Sequence, residues 1–387
     1  MDINSLENKK KIAIVAIGFN RLDSMKRLFE SLQNAYFSHN DIPLVISIDA
    51  SGDQELYDYV NRFEWKHGDK YVNIQKERLG LKRHIIQCGD LTQYFKAVII
   101  LEDDIFVSEY FYQYVEDTVN YYGSDDRIGG ISLYQDEMNG SLPVCFMQDG
   151  SDTYLQQAPS SWGECWTTEQ WGKFKKWYEG FNDERFNEID MPNRYKAWKK
   201  AWSKYYMAYL IDNNRYFVFP YISHTTCFVD AGEHSSMSST VGQASLLCGH
   251  KNYVFRPFEE MTRYDIYGVN EAIYQWLGYT KNDLCVDWHG NNPNQRHARF
   301  LLTTARLKYP ILKSFGLLMH PIELNIKYNI KGEGIYLYDL SSNHDNAIGK
   351  HKTKHYPFYF IHGISIKITF AYSILQFWPS VKAKFRL

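Results

Sequence analysis

Five short apolar runs punctuate the first third of the chain. KIAIVAI (11–17), PLVISID (43–49), YVNIQ (71–75), AVIIL (97–101) and IGGISLY (128–134) are rich in Ile and Val and read as buried strands. Between the first two, Met25, Leu28, Phe29 and Leu32 recur at helical spacing. After the fourth, Phe111, Val115, Val119 and Tyr122 do the same behind Ser108, which is placed to act as an N-cap. Strands separated by single helices predict a parallel sheet with right-handed crossovers, so the fold class is α/β and Rossmann-like, a mostly parallel central sheet flanked by helices. Ligands bind such sheets outside the carboxyl ends of the strands. Three polar clusters fall there: Gly18-Phe19-Asn20-Arg21, Asp49-Ala50-Ser51-Gly52-Asp53 and Glu102-Asp103-Asp104.

The character changes over residues 159–221, where six of the ten tryptophans lie among many tyrosines. Beyond Cys248 the pattern is harder to read, although GIYLYDL (334–340) is an apolar piece. A chain of 387 residues exceeds the usual ceiling for one core. The divisions expected are 1–150, 151–250 and a C-terminal extension, 251–387. Charged residues at 23% and a formal net charge of -2 argue against nucleic acid as the main partner and against disorder. The aromatic share, 17%, suits packed cores and also the apolar faces of sugar rings. Six scattered cysteines without a C-x-x-C pair point to a reducing, cytoplasmic setting rather than to zinc or a disulfide framework. The first apolar run reads as a strand, not a signal peptide, and no run is long enough to span a bilayer. After Asp345 there are seven Lys or Arg and no acid. That tail is either a peripheral contact with an anionic membrane, an oligomer contact, or a basic edge packed on the domain.

The acidic triplet Glu102-Asp103-Asp104, a D-x-D-like motif, follows AVIIL directly. Adjacent carboxylates repel one another without a cation, and their hard oxygens suit Mg2+ or Mn2+. Such a metal takes one or two carboxylates and completes its shell with phosphate oxygens. The bland alternative is an acidic loop before the next helix.

In this order, VAIGFNRLDSMKRLFESL, ISIDASGD, RLGLKRH, VIILEDDIFVSEYF and SSWGECWTTEQW resemble glycosyltransferases of the GT-A fold, in particular the family-2-like bacterial type, and more distantly N-acetylglucosaminyltransferase I. The resemblance covers about residues 11–234. It implies nucleotide contacts from Arg21 and Asp49, a ribose-side contact from Asp103, and metal contact from Asp104 supported by Glu102. A carboxylate suits the imide N–H of uracil or thymine, so a UDP- or dTDP-sugar is the donor expected. Lys82 and Arg83 either reach the donor diphosphate or form an ordinary solvated helix start. His234 either completes the metal site, contacts the diphosphate or is structural. Inverting transfer also needs a general base. Similar sequences carry an aspartate where this chain has Ser203, in Trp202-Ser203-Lys204-Tyr205-Tyr206. Glu164 is the first substitute, then Asp230 and Glu233. Trp162 and Trp166, flanking Gly163 and Glu164, are spaced like a sugar-stacking loop on the acceptor side.

The function expected is therefore metal-dependent, inverting glycosyl transfer to a glycan or lipid-linked oligosaccharide at the inner membrane face, as in bacterial surface polysaccharide synthesis. A degenerate nucleotide-sugar- or glycan-binding protein is the non-enzymatic alternative, favoured by Ser203. A sugar-phosphate nucleotidyltransferase fits less well, because Gly18 to Arg21 offers one glycine and one base where that class has a glycine-rich basic segment.

Overall fold

The structure is a computed structural model and describes residues 8–135, 145–199, 201–231, 242–292 and 298–342, with positions 367, 370, 373 and 374. The chain divides into two compact units, the first extending to Ile273 and the second built mainly from Tyr274 onward.

The first unit runs β1 (Asn8–Gly18), α1 (Leu22–Gln33), β2 (Leu44–Ile48), α2 (Gln54–Arg62), β3 (Lys70–Ile74), α3 (Leu81–Gly89), β4 (Phe95–Glu102), β5 (Ile105–Val107), α4 (Phe111–Tyr122) and β6 (Ile128–Ser132). It continues with β7 (Thr153–Gln156), β8 (Glu164–Thr167), α5 (Thr168–Glu179), α6 (Asn193–Lys196), α7 (Trp202–Asp212), β9 (Tyr216–Pro220), β10 (Thr225–Cys227) and β11 (Arg263–Tyr264). Nine strands form one sheet in the order β11-β7-β9-β6-β8-β4-β1-β2-β3. Strands β3, β2, β1 and β4 are mutually parallel, β8 runs antiparallel between β4 and β6, and β9 returns parallel to β6. The expected α/β class, with a Rossmann-like, mostly parallel central sheet flanked by helices, is the one this chain forms.

The continuous apolar runs follow from burial on both faces. In β1, Ile12, Ile14 and Ala16 pack toward α1, α2 and α4, while Ala13, Val15 and Ile17 pack toward α3, α5 and α7. Helix α1 lays Met25, Leu28, Phe29 and Leu32 on the first face, all of them buried. Helix α4 begins two residues later than Ser108 suggests. Its N-cap is Tyr110, and the Ser108 hydroxyl instead meets His224 Nδ1 at 3.3 Å. Helix α5 starts with a capping box, Thr167 and Gln170 satisfying each other's backbone N–H groups.

The tryptophan-rich stretch fills the second face of the sheet. Trp166, Trp171 and Trp202 are all buried, and Trp166 stacks on Tyr206 at 5.4 Å. Phe174 stacks on the same tyrosine at 4.1 Å. These rings close a core between β8, α5 and α7.

In the second unit, β12 (Leu284–Asp287), β13 (Phe300–Thr303), β14 (Ile311–Phe315) and β15 (Ile335–Asp339) form a sheet of order β12-β13-β15-β14. GIYLYDL supplies β15, the inner strand between β13 and β14. Among the described residues no helix is long and apolar enough to cross a membrane.

Candidate functional site

The parallel strands β1 to β4 end on one edge of the sheet, with Gly18 beside Ile48 and Ile17 beside Glu102. Gly18 sits close under the side chains of Met25, Ile48 and Asp103. A Cβ there would collide with Met25 Cε and lie 3.1 Å from Ile48 Cδ1, with Asp103 Oδ2 just beyond. That close approach lets the turn after β1 carry Arg21 over the end of β4.

Arg21 is the hinge of the site. Its Nη2 and Nε donate to the two oxygens of Asp103, the latter at 3.3 Å. Its Nη1 donates to Asp104 Oδ2 at 2.9 Å and to the Asp230 carbonyl at 3.2 Å. Burial alone would lower the proton affinity of the guanidinium, but Asp103 and then Asp104 outweigh it and hold it firmly charged. Asp103 is pushed by burial up to about 6 against the pull of Arg21, so it stays ionised at neutral pH. Half-buried Glu102 is pushed up to about 8, by burial first and then by the Asp104 and Asp103 charges. The triplet is therefore not a solvated acidic loop: it carries more negative charge than Arg21 offsets.

A second cation is brought in by α1. Arg27 Nη2 and Ser24 Oγ both donate to Asp230 Oδ2, the latter at 2.7 Å, and the Arg27 guanidinium lies 3.8 Å over the Phe228 ring. Arg21, Ser24 and Arg27 recur every three residues, so one edge of α1 presents all of them to the segment after β10. Phe228 N–H donates to the Asp104 carbonyl at 2.9 Å, which pins that segment to the triplet. Between Phe228 and Asp230, Val229 adopts φ 45, a left-handed backbone that costs a β-branched residue about 1–3 kcal/mol. Asp230 is thus a tethering group whose Oδ2 is committed to Ser24 and Arg27, not an unengaged base.

Asp49 is buried and its carboxylate accepts three backbone N–H groups, from Ala50 at 2.9 Å, Leu79 at 2.8 Å and Gly80 at 2.8 Å. It ties the turn after β3 to the end of β2, where Gly80 adopts φ 74 and so needs no side chain. Arg78 in that turn lies 4.7 Å over the Phe19 ring, closing the loops after β1 and β3 on each other. Lys82 follows in the first turn of α3, its ammonium 3.5 Å from Tyr205 Oη and 4.6 Å above that ring. Arg83 is largely exposed, 3.7 Å from Glu77. Asp53 is the N-cap of α2, accepting from Leu56 N–H at 3.1 Å.

Glu164 opens β8, opposite Ile100 of β4 and Ser132 of β6. It is 1% exposed and neither carboxyl oxygen makes a well-formed hydrogen bond. The Gly163 N–H favours its charged form slightly without reaching good geometry, while burial and then Glu102 raise its pKa well above the usual range. Burial thus favours the neutral form of its carboxyl group. Trp162 keeps a partly exposed edge and meets Tyr134 edge-on at 4.7 Å. Trp166 does not share that position. It has no exposed surface, because alternation along β8 turns it into the core, so no sugar ring can stack on it. Ser203 lies in the first turn of α7. Glu233 and His234 lie outside the described residues.

Arg27 is the participant that the motif reading missed. Its signal was its spacing from Arg21, but its partner is 203 residues distant in sequence. For a metal, the donor set is carboxylate oxygen, suited to Mg2+ or Mn2+. Among the described residues no group of three or more His, Cys, Asp or Glu is gathered to hold an ion. The residues fit an open site, with Asp104 and Glu102 as protein ligands and phosphate oxygens completing the shell. They do not fit a closed protein cage.

No protein-family description and no curated protein matches the chain. Among solved structures, S. aureus TarS 1-349 is similar with a TM-score of 0.35 and 14% identity, over 56% of this chain and 59% of that one. TarS 1-349 in complex with UDP-GlcNAc gives a TM-score of 0.37 and 15% identity, over 58% and 60%. Mannosyltransferase PcManGT from Pyrobaculum calidifontis, in complex with GDP-Man and Mn2+, gives 0.31 and 9%, over 41% and 45%. Each match takes in less than two thirds of the other chain.

Proposed function

We propose that this chain is a metal-dependent, inverting glycosyltransferase that moves a sugar from a UDP- or dTDP-type donor to a hydroxyl of a glycan or lipid-linked oligosaccharide. The observation that carries the reading is the meeting of Arg21, Asp103 and Asp104 at the carboxyl ends of β1 and β4. The Asp49-tethered turn after β3 lies on the same edge. That is where an α/β sheet receives a nucleotide, and the excess of carboxylates supplies the hard oxygens a divalent cation needs.

In this reading Asp104 and Glu102 hold Mn2+ or Mg2+, which when bound offsets the charge of the leaving diphosphate. Arg21 orients Asp103 and Asp104 for ribose and metal. Asp49 shapes the base pocket through the amides it holds, and Lys82 and Arg83 stand at the start of α3 for the diphosphate. The acceptor hydroxyl attacks the anomeric carbon, the bond to the diphosphate oxygen breaks, and a base takes the hydroxyl proton. Glu164 remains the first candidate for that base, and it could serve only in an ionised state open to the acceptor, which its enclosure and burial-raised pKa oppose, while Trp162 is the acceptor-side ring.

A second reading, a nucleotide-sugar-binding protein without turnover, is favoured by Ser203 in the place of an aspartate and by the enclosure of Glu164, whose pKa burial raises. The test is a thermal-shift screen of UDP-, dTDP-, GDP- and CMP-sugars with and without Mn2+, followed by transfer assays on the donor that stabilises. Stabilisation with turnover that Asp104→Ala abolishes supports transfer. Stabilisation without turnover supports the binding module, and undiminished turnover in Asp104→Ala would sink the metal assignment.

A further inference from the structure

The second unit carries a surface whose chemistry is apolar and basic at once. Leu318 is 75% exposed, Tyr328 59% and Leu312 50%, values that set them apart from the buried Phe315, Ile322 and Ile326 close by. They are not scattered. Gly316 N–H donates to the Ile330 carbonyl at 2.8 Å, and Leu318 N–H donates to Asn325 Oδ1 at 3.0 Å. These bonds bring the end of β14 against the helical turn Leu324–Lys327 and Tyr328 after it. Edge strand β14 adds Leu312 and Lys313, both pointing to solvent.

The charges around these side chains are mostly of one sign. From residue 306 to 333 there are five cations, Arg306, Lys308, Lys313, Lys327 and Lys331, against one exposed acid, Glu333, since Glu323 is 2% exposed. The helical positions Lys367, Phe370 and Ile374 of the same unit repeat the pattern. They are spaced to share a helix face, and the two apolar ones are 68% and 52% exposed.

We propose that this surface docks the protein onto an anionic lipid bilayer, with Leu312, Leu318 and Tyr328 entering the headgroup layer and Lys313, Lys327 and Lys331 facing acidic headgroups. Exposed apolar side chains ringed by lysines suit that interface, where long cationic stems lie along apolar surface and keep their charge in water. A second copy of the chain fits worse, because a two-fold contact would set the lysines of one copy against those of the other. The proposal goes beyond the transfer reading and is scored without turnover, so either can fail alone.

The test is co-sedimentation of the full chain with vesicles of one part phosphatidylglycerol to two parts phosphatidylcholine, and with phosphatidylcholine alone. Binding is expected on the anionic vesicles only and is lost at high salt. Replacing Lys313, Lys327 and Lys331 together by Gln should weaken it about five-fold per lysine, roughly 100-fold in all. Leu318→Ser should weaken it further while leaving the salt dependence in place. Unchanged melting temperatures show that the variants are folded. Wild-type binding by the triple variant would overturn the proposal and move the contact to the basic tail. Equal binding to neutral vesicles, or a dimer in solution that Leu318→Ser dissolves, would overturn it too.

Discussion

Arg21→Met removes the one guanidinium shared by Asp103 and Asp104. The side chains of this trio are 22%, 5% and 13% exposed, so the carboxylates left behind stay largely shielded from water. Breaking a buried ion pair from one side costs about 3–5 kcal/mol, and the partial exposure of Arg21 places the expected loss at about 3. For a unit of this size, that lowers the melting temperature by about 6 °C or more. Most of the cost is the penalty of unpaired charge rather than the worth of the pair. The double variant Arg21→Met with Asp103→Asn should therefore recover at least about 1.5 kcal/mol relative to the sum of the single losses. Urea unfolding of the four proteins measures the cycle. A loss under about 1 kcal/mol in Arg21→Met, or strict additivity in the double variant, would refute the claim that Arg21 compensates the acidic triplet.

Other consequences can be read independently. His84 is buried against the Ser47 hydroxyl at 2.7 Å, and burial lowers its pKa to about 4. A depressed histidine contributes stability that is complete above about pH 6.5 and is lost as the pH falls toward 4, here about 3 kcal/mol. His84→Gln should therefore flatten the acid limb of the stability profile over that window. Glu164, with its pKa raised, costs stability as the pH rises above the ordinary carboxylate range. Glu164→Gln should accordingly gain melting temperature over wild type between pH 5 and pH 9, and a constant difference would contradict the upward shift of its pKa. Trp166→Ala opens a void among Trp171, Trp202 and Tyr206 and should cost about 3–5 kcal/mol in chemical denaturation, with no selective effect on acceptor affinity.

The strands that were legible in the sequence are those buried on both faces. β1, β2 and β4 announce themselves because every position of 12–17, 44–48 and 97–101, odd or even, is buried, and α1 and α4 because their apolar stripes repeat every three or four residues. β5, β8 and β10 have three or four residues each, too few for periodicity, and β8 begins with the carboxyl group of Glu164. That brevity also hid the inward turn of Trp166, since its facing is set by pairing with Val98 of β4 and not by its spacing from Trp162. The grouping of Arg21, Asp49 and the acidic triplet was legible from placement after strands, which topology brings to one edge. The partnership of Arg27 and Ser24 with Asp230 was not, because only the return of the chain through β10 brings them together. Asp49 shows a related limit: a carboxylate at a strand end reads as a ligand contact, and here its oxygens hold the loop that would make that contact.

The central claim, a nucleotide-sugar site that uses the acidic triplet with a divalent cation, is tested most directly by calorimetric titration of a UDP-sugar into wild type and Asp104→Asn. Titrations are run with Mn2+ and with the metal chelated. The account predicts saturable binding of the wild type with Mn2+, weakened at least about ten-fold both by chelation and by the Asp104→Asn substitution. Binding of equal strength in all four titrations, or no binding of any nucleotide sugar, would contradict it.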